Sequence, residues 1–399
     1  MTERTLQFSR RTAWDLAPNK LSAVLSEARS AGRALVDLTD GNPTRCGIVT
    51  TTELVALLGD PRGVDYEPDP LGHPDARAAV ADYYRAHGAT IDPGRVVLSA
   101  STSEAYGWLF KLLADRDDAV LVPQPSYPLF GYLAALEDVR LVAYPLLREE
   151  QWRVDLDAVA RSIDERTRAI LLVHPNNPTG SFLRRDDAAA LEQLAAANGL
   201  ALVVDEVFVD YAHGPLPADR LPTFAGERRA LTFVMSGLSK VVALPQLKLG
   251  WTIVLGPDAL ARAAMERLEV IADTYLSVAT PVSRALPELL AARGPIQAAI
   301  RARTENNRAS IDDAIARLGE HGAVRRLPAD GGWYAILEVP RTRDEDAWVE
   351  ALVRDEGVVV HPGYFFDLDR EGCLVVSLLP EERAFSAAIT RVVSALHRG

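Results

Sequence analysis

Between residues 96 and 255 the chain alternates short, continuous apolar runs with stretches whose apolar positions recur three and four apart. A run such as Ala169-Ile-Leu-Leu-Val173 has no polar side to turn toward water. Runs of this kind predict strands buried on both faces, as in a mostly parallel sheet covered by helices. The pattern predicts seven strands, at 96–99, 119–122, 141–144, 169–174, 201–205, 232–236 and 251–255. Helical periodicity fits between them, for instance at 186–198, where Gly199 follows as the residue that best closes a helix C-terminus. The alternation implies an α/β fold.

Beyond Gly256 the pattern changes. Helices are expected at 257–273 and 295–318, strands at 332–339, 358–361 and 374–378, a helix near 345–356 and another at the C-terminus. This reads as a smaller α+β unit, with which the N-terminal stretch is expected to pack. The division predicted is 1–45 as an N-terminal arm and part of the small domain, 46–290 as the large domain, and 291–399 as the small C-terminal domain.

Composition narrows the function classes. The 399 residues are 48% hydrophobic and 25% charged, enough for a large core split over two domains. A net charge of −12 argues against nucleic acid or anionic lipid as the main partner. Two cysteines, Cys46 and Cys373, are too few for a disulfide scaffold or a thiolate metal site. Residues 1–30 are interrupted by Arg4, Arg10, Arg11 and Lys20 and hold no signal-peptide core, and no apolar run reaches membrane-spanning length. A soluble cytoplasmic protein without a metal is therefore expected.

Five segments carry chemistry. Ser101-Thr102-Ser103-Glu104 follows a predicted strand and opens a helix, and Ser101 with Glu104 fits a capping box. The N–H groups at such a helix end suit a phosphate, although capped helices are common. Tyr127, in Pro-Ser-Tyr-Pro, could stack on a planar ring or simply fill a loop. Asn177, in Asn-Asn-Pro-Thr-Gly180, sits at a strand end where α/β sheets bind ligands, in a sequence equally suited to a tight turn. Asp205 follows an apolar run and needs a partner if buried; a protonated pyridine nitrogen or an ordinary helix cap would serve. Lys240, in Ser236-Gly-Leu-Ser239-Lys240, offers an amine to a cofactor aldehyde, with a second cation, Lys248, eight residues on.

Together these segments resemble the fold type I aminotransferases, the class I/II pyridoxal-phosphate family. Asn-Pro-Thr-Gly at 177–180, Asp205 28 residues after Asn177, and Lys240 35 residues after Asp205 match that family's order. Asp40-Gly41-Asn42-Pro43 is similar to its substrate-side glycine loop, and Tyr66 to Arg77 to its Tyr…Gly…Leu-Arg segment. The resemblance implies pyridoxal 5′-phosphate as cofactor, bonded to Lys240, which then moves the proton during amino transfer to a 2-oxo acid. It implies that Asp205 holds the pyridine nitrogen protonated, that Asn177 donates to the ring oxygen, and that Tyr127 stacks. It also implies that Ser101, Thr102, Ser103, Ser239 and Lys248 surround the phosphate. Gly41 would meet substrate, and Tyr66 would reach the phosphate of a second subunit, implying a homodimer.

Three departures stand out. Lys248 replaces the family's usual arginine, keeping charge but losing the bidentate fork. Phe208 stands where many members have tyrosine, removing a hydroxyl donor to the ring oxygen. Val375, in Cys373-Leu-Val-Val-Ser377, occupies the place of the arginine that clamps the substrate carboxylate. Either the substrate lacks that carboxylate or another cation holds it, and Arg45, just past the glycine loop, is the candidate for that cation. The missing arginine keeps open a pyridoxal-phosphate lyase, decarboxylase or oxidase acting on an amino acid. A nicotinamide oxidoreductase is disfavoured because no Gly-x-Gly-x-x-Gly follows an early strand. A ligand sensor is disfavoured because no DNA-binding module precedes the core.

Overall fold

A computed structural model describes residues 6–17, 19–48, 52–148, 151–276, 278–319, 323–369 and 372–398. Its large sheet is built from β1 (Val96–Ser99), β2 (Ala119–Gln124), β3 (Arg140–Arg148), β4 (Trp152–Val154), β5 (Thr167–Val173), β6 (Ala201–Asp205), β7 (Thr232–Gly237) and β8 (Gly250–Leu255). The strand order is β1-β8-β7-β6-β5-β2-β3-β4. The pairs within β7-β6-β5-β2-β3 are parallel, whereas β8 runs antiparallel to both its neighbours and β4 antiparallel to β3.

The all-apolar runs are explained by two cores. Leu98, Ile170, Leu172, Leu202, Val204 and Ile253 point into one, shared with helices Pro74–Ala86 and Thr280–Ala291. Their alternates Val97, Ala169, Leu171, Val203, Phe233 and Val254 point into the other, shared with helices Thr102–Leu113 and Asp258–Tyr275. Neither strand face meets water. Truncating one such side chain, Leu172→Ala for example, is expected to cost about 2–5 kcal/mol.

The seven predicted strands are all present, and the sheet has an eighth. Residues 152–154 were not foreseen because three residues are too short to show a period. They are a strand only because Leu146, Leu147 and Arg148 supply an antiparallel partner. Helix Thr280–Ala291 was also not foreseen, since it carries Pro287 in its interior. The helix expected at 186–198 spans Arg185–Ala197; Gly199 takes φ +66° after it, and Leu200 N–H returns to Ala195 O at 2.9 Å. That closure turns the chain directly into β6.

A second sheet holds β9 (Arg325–Arg326), β10 (Tyr334–Glu338), β11 (His361–Pro362) and β12 (Cys373–Ser377) in the antiparallel order β9-β10-β12-β11. The strand expected at 358–361 is divided: Val358–Val359 pairs in parallel with Val36–Asp37, and only His361 joins β12. The N-terminal helix Lys20–Ser30 packs Leu21, Val24, Leu25 and Ala28 against Val353 and Val359. Helices Arg293–Ala316 and Glu382–Arg398 meet over a third core of Ile311, Ala314, Phe385, Ile389 and Val392. No helix among the described residues is long and apolar enough to cross a membrane.

Candidate active site

The functional segments gather because β1, β2, β5, β6 and β7 all point the same way, so their C-terminal ends lie along one edge of the sheet. At the end of β1, Ser101 has extended backbone and its hydroxyl accepts from Glu104 N–H at 3.1 Å, while the Glu104 carboxylate accepts from Ala100 N–H at 2.6 Å. The serine half of the expected capping box is formed, while Glu104 reaches one residue further back, to Ala100 N–H instead of Ser101 N–H. The first N–H groups of this 12-residue helix have no intrahelical carbonyl to bond and carry the positive end of its dipole.

Two glycines bring this helix end close to the lysine. A Cβ at Gly250 would stand 3.1 Å from Thr102 N, and one at Gly237 would stand 3.0 Å from Gly250 Cα. The backbones of β7, β8 and the helix start can touch only because both positions lack side chains. Lys240 follows Gly237 by one turn, in the short helix Leu238–Val241. Its carbonyl accepts from the Tyr211 hydroxyl at 2.6 Å. Its amine lies against the rings of Trp333 and Phe208, 4.7 and 5.4 Å from their centroids. Burial lowers the amine to about 8, an effect that the Asp205 charge partly offsets.

Asp205 ends β6 and is buried. Burial raises its carboxyl to about 6, against the opposing pull of Val207 N–H at 3.1 Å, the Tyr106 hydroxyl at 2.9 Å and the Lys240 charge. Its neighbour Glu206 points the other way, into the core. There it accepts from Thr223 Oγ1 at 2.7 Å and from Phe224 N–H, and burial raises it to about 7.

The loop after β5 is fixed by Asn176, which donates to Pro125 O at 3.2 Å and accepts from Thr179 Oγ1 at 2.9 Å. Its neighbour Asn177 is also buried, yet its amide oxygen has no hydrogen-bond partner among the described residues. An unmet buried amide is costly unless a ligand completes it. Tyr127 is 44% exposed, with its phenol raised by burial and by the Asp205 charge. Ser126 N–H donates to Phe366 O at 2.9 Å, tying this loop to the small sheet.

The remaining expected residues lie outward. Gly41 faces Tyr334, whose hydroxyl occupies the space a Cβ would take. Thr102, Ser103 and Ser239 are half-buried. Lys248 is exposed on a left-handed turn at φ 54°, ψ 58°. Arg45 is exposed and Tyr66 is 70% exposed. Val375 is fully buried between Ile336 and His361 in the small sheet, packed with Trp152, Leu327 and Phe366.

Sequence reasoning missed Tyr106 and Tyr211. A phenol among the apolar residues of the second helical turn was the available sign for Tyr106. Nothing local marks Tyr211, whose partner is the Lys240 carbonyl 29 residues on.

These residues fit pyridoxal 5′-phosphate. The fit rests on a buried asparagine amide after β5, a carboxylate at the end of β6, and a lysine amine lowered by burial at the same edge. The sequence matches the family described as aminotransferase class I and II over residues 36–389. The chain belongs to the class I and II aminotransferases. It is 25% identical over 371 residues to the glutamate-pyruvate aminotransferase AlaA of Haemophilus influenzae, covering 90% of each chain. It is 29% identical over 310 residues to the valine–pyruvate aminotransferase of Mycobacterium tuberculosis, covering 76% of each. Its fold matches an alanine aminotransferase from Pyrococcus furiosus with a TM-score of 0.85 at 23% identity, over 98% of this chain and 100% of that one. As a member of this family, the aminotransferase uses pyridoxal 5′-phosphate to transfer an amino group to a 2-oxo acid.

Proposed function

We propose that this aminotransferase works through Lys240, taking an amino group from an amino acid whose carboxylate is held by Arg45. The observation that carries the reading is Asp205, a buried carboxylate at a strand end with Lys240 the cation acting on it. Pyridoxal phosphate, when bound, supplies the electron sink that makes loss of the Cα proton feasible. The chain's residues supply the rest. Asp205, oriented by Tyr106, holds the pyridine nitrogen protonated through a charge-assisted hydrogen bond worth about 1.5–3 kcal/mol. Asn177, buried at the end of β5, would donate its amide N–H to the ring oxygen, and Tyr127 would cover the ring. The N–H groups behind Ser101, with Thr102, Ser103, Ser239 and Lys248, receive the phosphate. Lys240, with its amine near 8, is poised to accept and return a proton close to neutral pH.

Arg45 carries the substrate clamp because Val375 is sealed among apolar side chains. Arg45 lies in the same loop as Gly41, its N–H bonded to Asn42 O at 3.1 Å and its side chain exposed. Relatives named for glutamate–pyruvate, valine–pyruvate and alanine transfer support an amino-acid donor and a small oxo-acid acceptor.

The working unit is a cytoplasmic homodimer, with Tyr66 reaching the phosphate of the second copy. Val64, Tyr66 and Leu276 are 84%, 70% and 68% exposed. Gly63 packs on Pro281 and Glu67 pairs with Arg284, so the segment carrying Val64 and Tyr66 lies against helix Thr280–Ala291, on a surface that a second copy would cover.

Borohydride reduction of the yellow protein followed by mass spectrometry tests the assignment, with the cofactor mass expected on Lys240. An unmodified Lys240 overturns it. A screen of amino donors in single turnover then separates transfer, which leaves the amino group on the cofactor, from elimination, which releases ammonia.

A further inference from the structure

The surroundings of the Lys240 amine contain two rings that the reading above leaves without a task. Trp333 and Phe208 meet edge to face, 5.3 Å apart at 69°, and the amine faces both. Trp333 is fully buried and braced from behind. Its carbonyl accepts from Leu378 N–H at 2.7 Å, and the Tyr211 ring lies 4.9 Å away. The same Tyr211 holds the Lys240 carbonyl through its hydroxyl. One tyrosine thus fixes the lysine backbone and the wall that its side chain reaches.

We propose that the indole face of Trp333, flanked by Phe208, is a resting site for the free Lys240 amine whenever that amine is not bonded to the cofactor. An aromatic face attracts an ammonium, and Trp attracts it most strongly. Burial lowers the amine to about 8 against the pull of the Asp205 carboxylate on β6; an aromatic face beside an ammonium adds to that pull. Asp205 is the charged group acting on the amine; Tyr106 holds that carboxylate from the capped helix. Phenylalanine at 208 suits this role, presenting a face with no hydroxyl to compete for the amine. Trp333 and Phe208 act as positioning residues: they keep the amine in one place and keep its protonated form accessible.

The inference rests on Lys240 being the reactive amine, and the test reads that amine without cofactor. Cofactor-free protein is trace-labelled with acetic anhydride between about pH 6 and 10, and the Lys240 peptide is quantified by mass spectrometry. Position 333 carries tryptophan or its mono-, di- and trifluoro forms, which drain the π face while keeping ring and packing. The labelling midpoint is expected to fall stepwise with fluorination, by about half a unit or more across the series. A flat or rising series overturns the proposal. Phe208→Leu should lower the midpoint by less than full fluorination does, and an unchanged midpoint removes Phe208 from the site. Borohydride trapping of Lys240 in the cofactor-loaded protein is run alongside. Successful trapping with a flat series defeats this inference alone, whereas failed trapping defeats the proposed function.

Discussion

Asp205 and Lys248 stand at the same edge of the sheet, yet one is buried beneath the Tyr106 hydroxyl and the other is exposed on a left-handed turn. The contrast extends to their surroundings. The floor of the site (Asp205, Asn177, Lys240 and Trp333) is packed, and its polar groups are held by specific donors or left waiting for one. Arg45, Tyr127 and Lys248, the residues proposed for the site's rim, are exposed, as is Tyr66, proposed for the rim of a second copy's site. The floor moves its carboxyl up to about 6 and its amine down to about 8, bringing both closer to neutral pH than water would. The rim holds charges that water already satisfies, so each contributes modestly and selectively.

The sharpest test of this contrast is Lys240→Ala, which should reduce turnover at least about 1,000-fold, since both covalent bonding and proton movement are lost. Steady-state rates and the absence of borohydride-fixed cofactor at that position check it.

Asp205→Asn comes next, with kcat expected to fall by about 10- to 150-fold for loss of a charge-assisted bond. The same variant should alter stability in the cofactor-free protein. The folded carboxyl of Asp205 lies near 6, above the 3.8 of a free aspartate. Its stabilising contribution is therefore complete below about pH 3.8 and lost as pH rises through about 6. Calorimetry across that window should show a flatter decline in Tm for Asp205→Asn than for the native chain. A parallel decline in both would mean the carboxylate is better accommodated than its burial implies.

On the rim, Arg45→Gln should raise KM for the amino donor about tenfold and leave kcat nearly unchanged, as expected for a group that binds ground and transition states alike. An unchanged KM would move the clamp elsewhere. Lys248→Arg should have the smallest effect, tightening pyridoxal phosphate a fewfold by restoring a bidentate donor. Equilibrium titration of the cofactor-free protein measures it. If a rim substitution outweighs Asp205→Asn, the contrast between floor and rim fails.

The residues legible beforehand are those whose chemistry is announced by position in a strand. Asp205 follows five buried residues, Asn177 follows β5, and the Ser101–Glu104 box is local by construction. The eighth strand at 152–154 and the helix broken in pattern by Pro287 were not legible, because each takes its shape from a neighbour rather than from its own period. Val375 was seen to lack the arginine's charge; its place between Ile336 and His361 came only with the sheet register.

The amino-acid sequence by itself determined the order of chemical groups and the family of fold, because burial of both strand faces and the turn residues at strand ends are properties of short windows. Tertiary structure alone decided that Tyr106 meets Asp205, 99 residues away, and that Trp333 lies beneath Lys240. Such pairings arise when distant elements pack, and no local period encodes which side chain a buried charge will face.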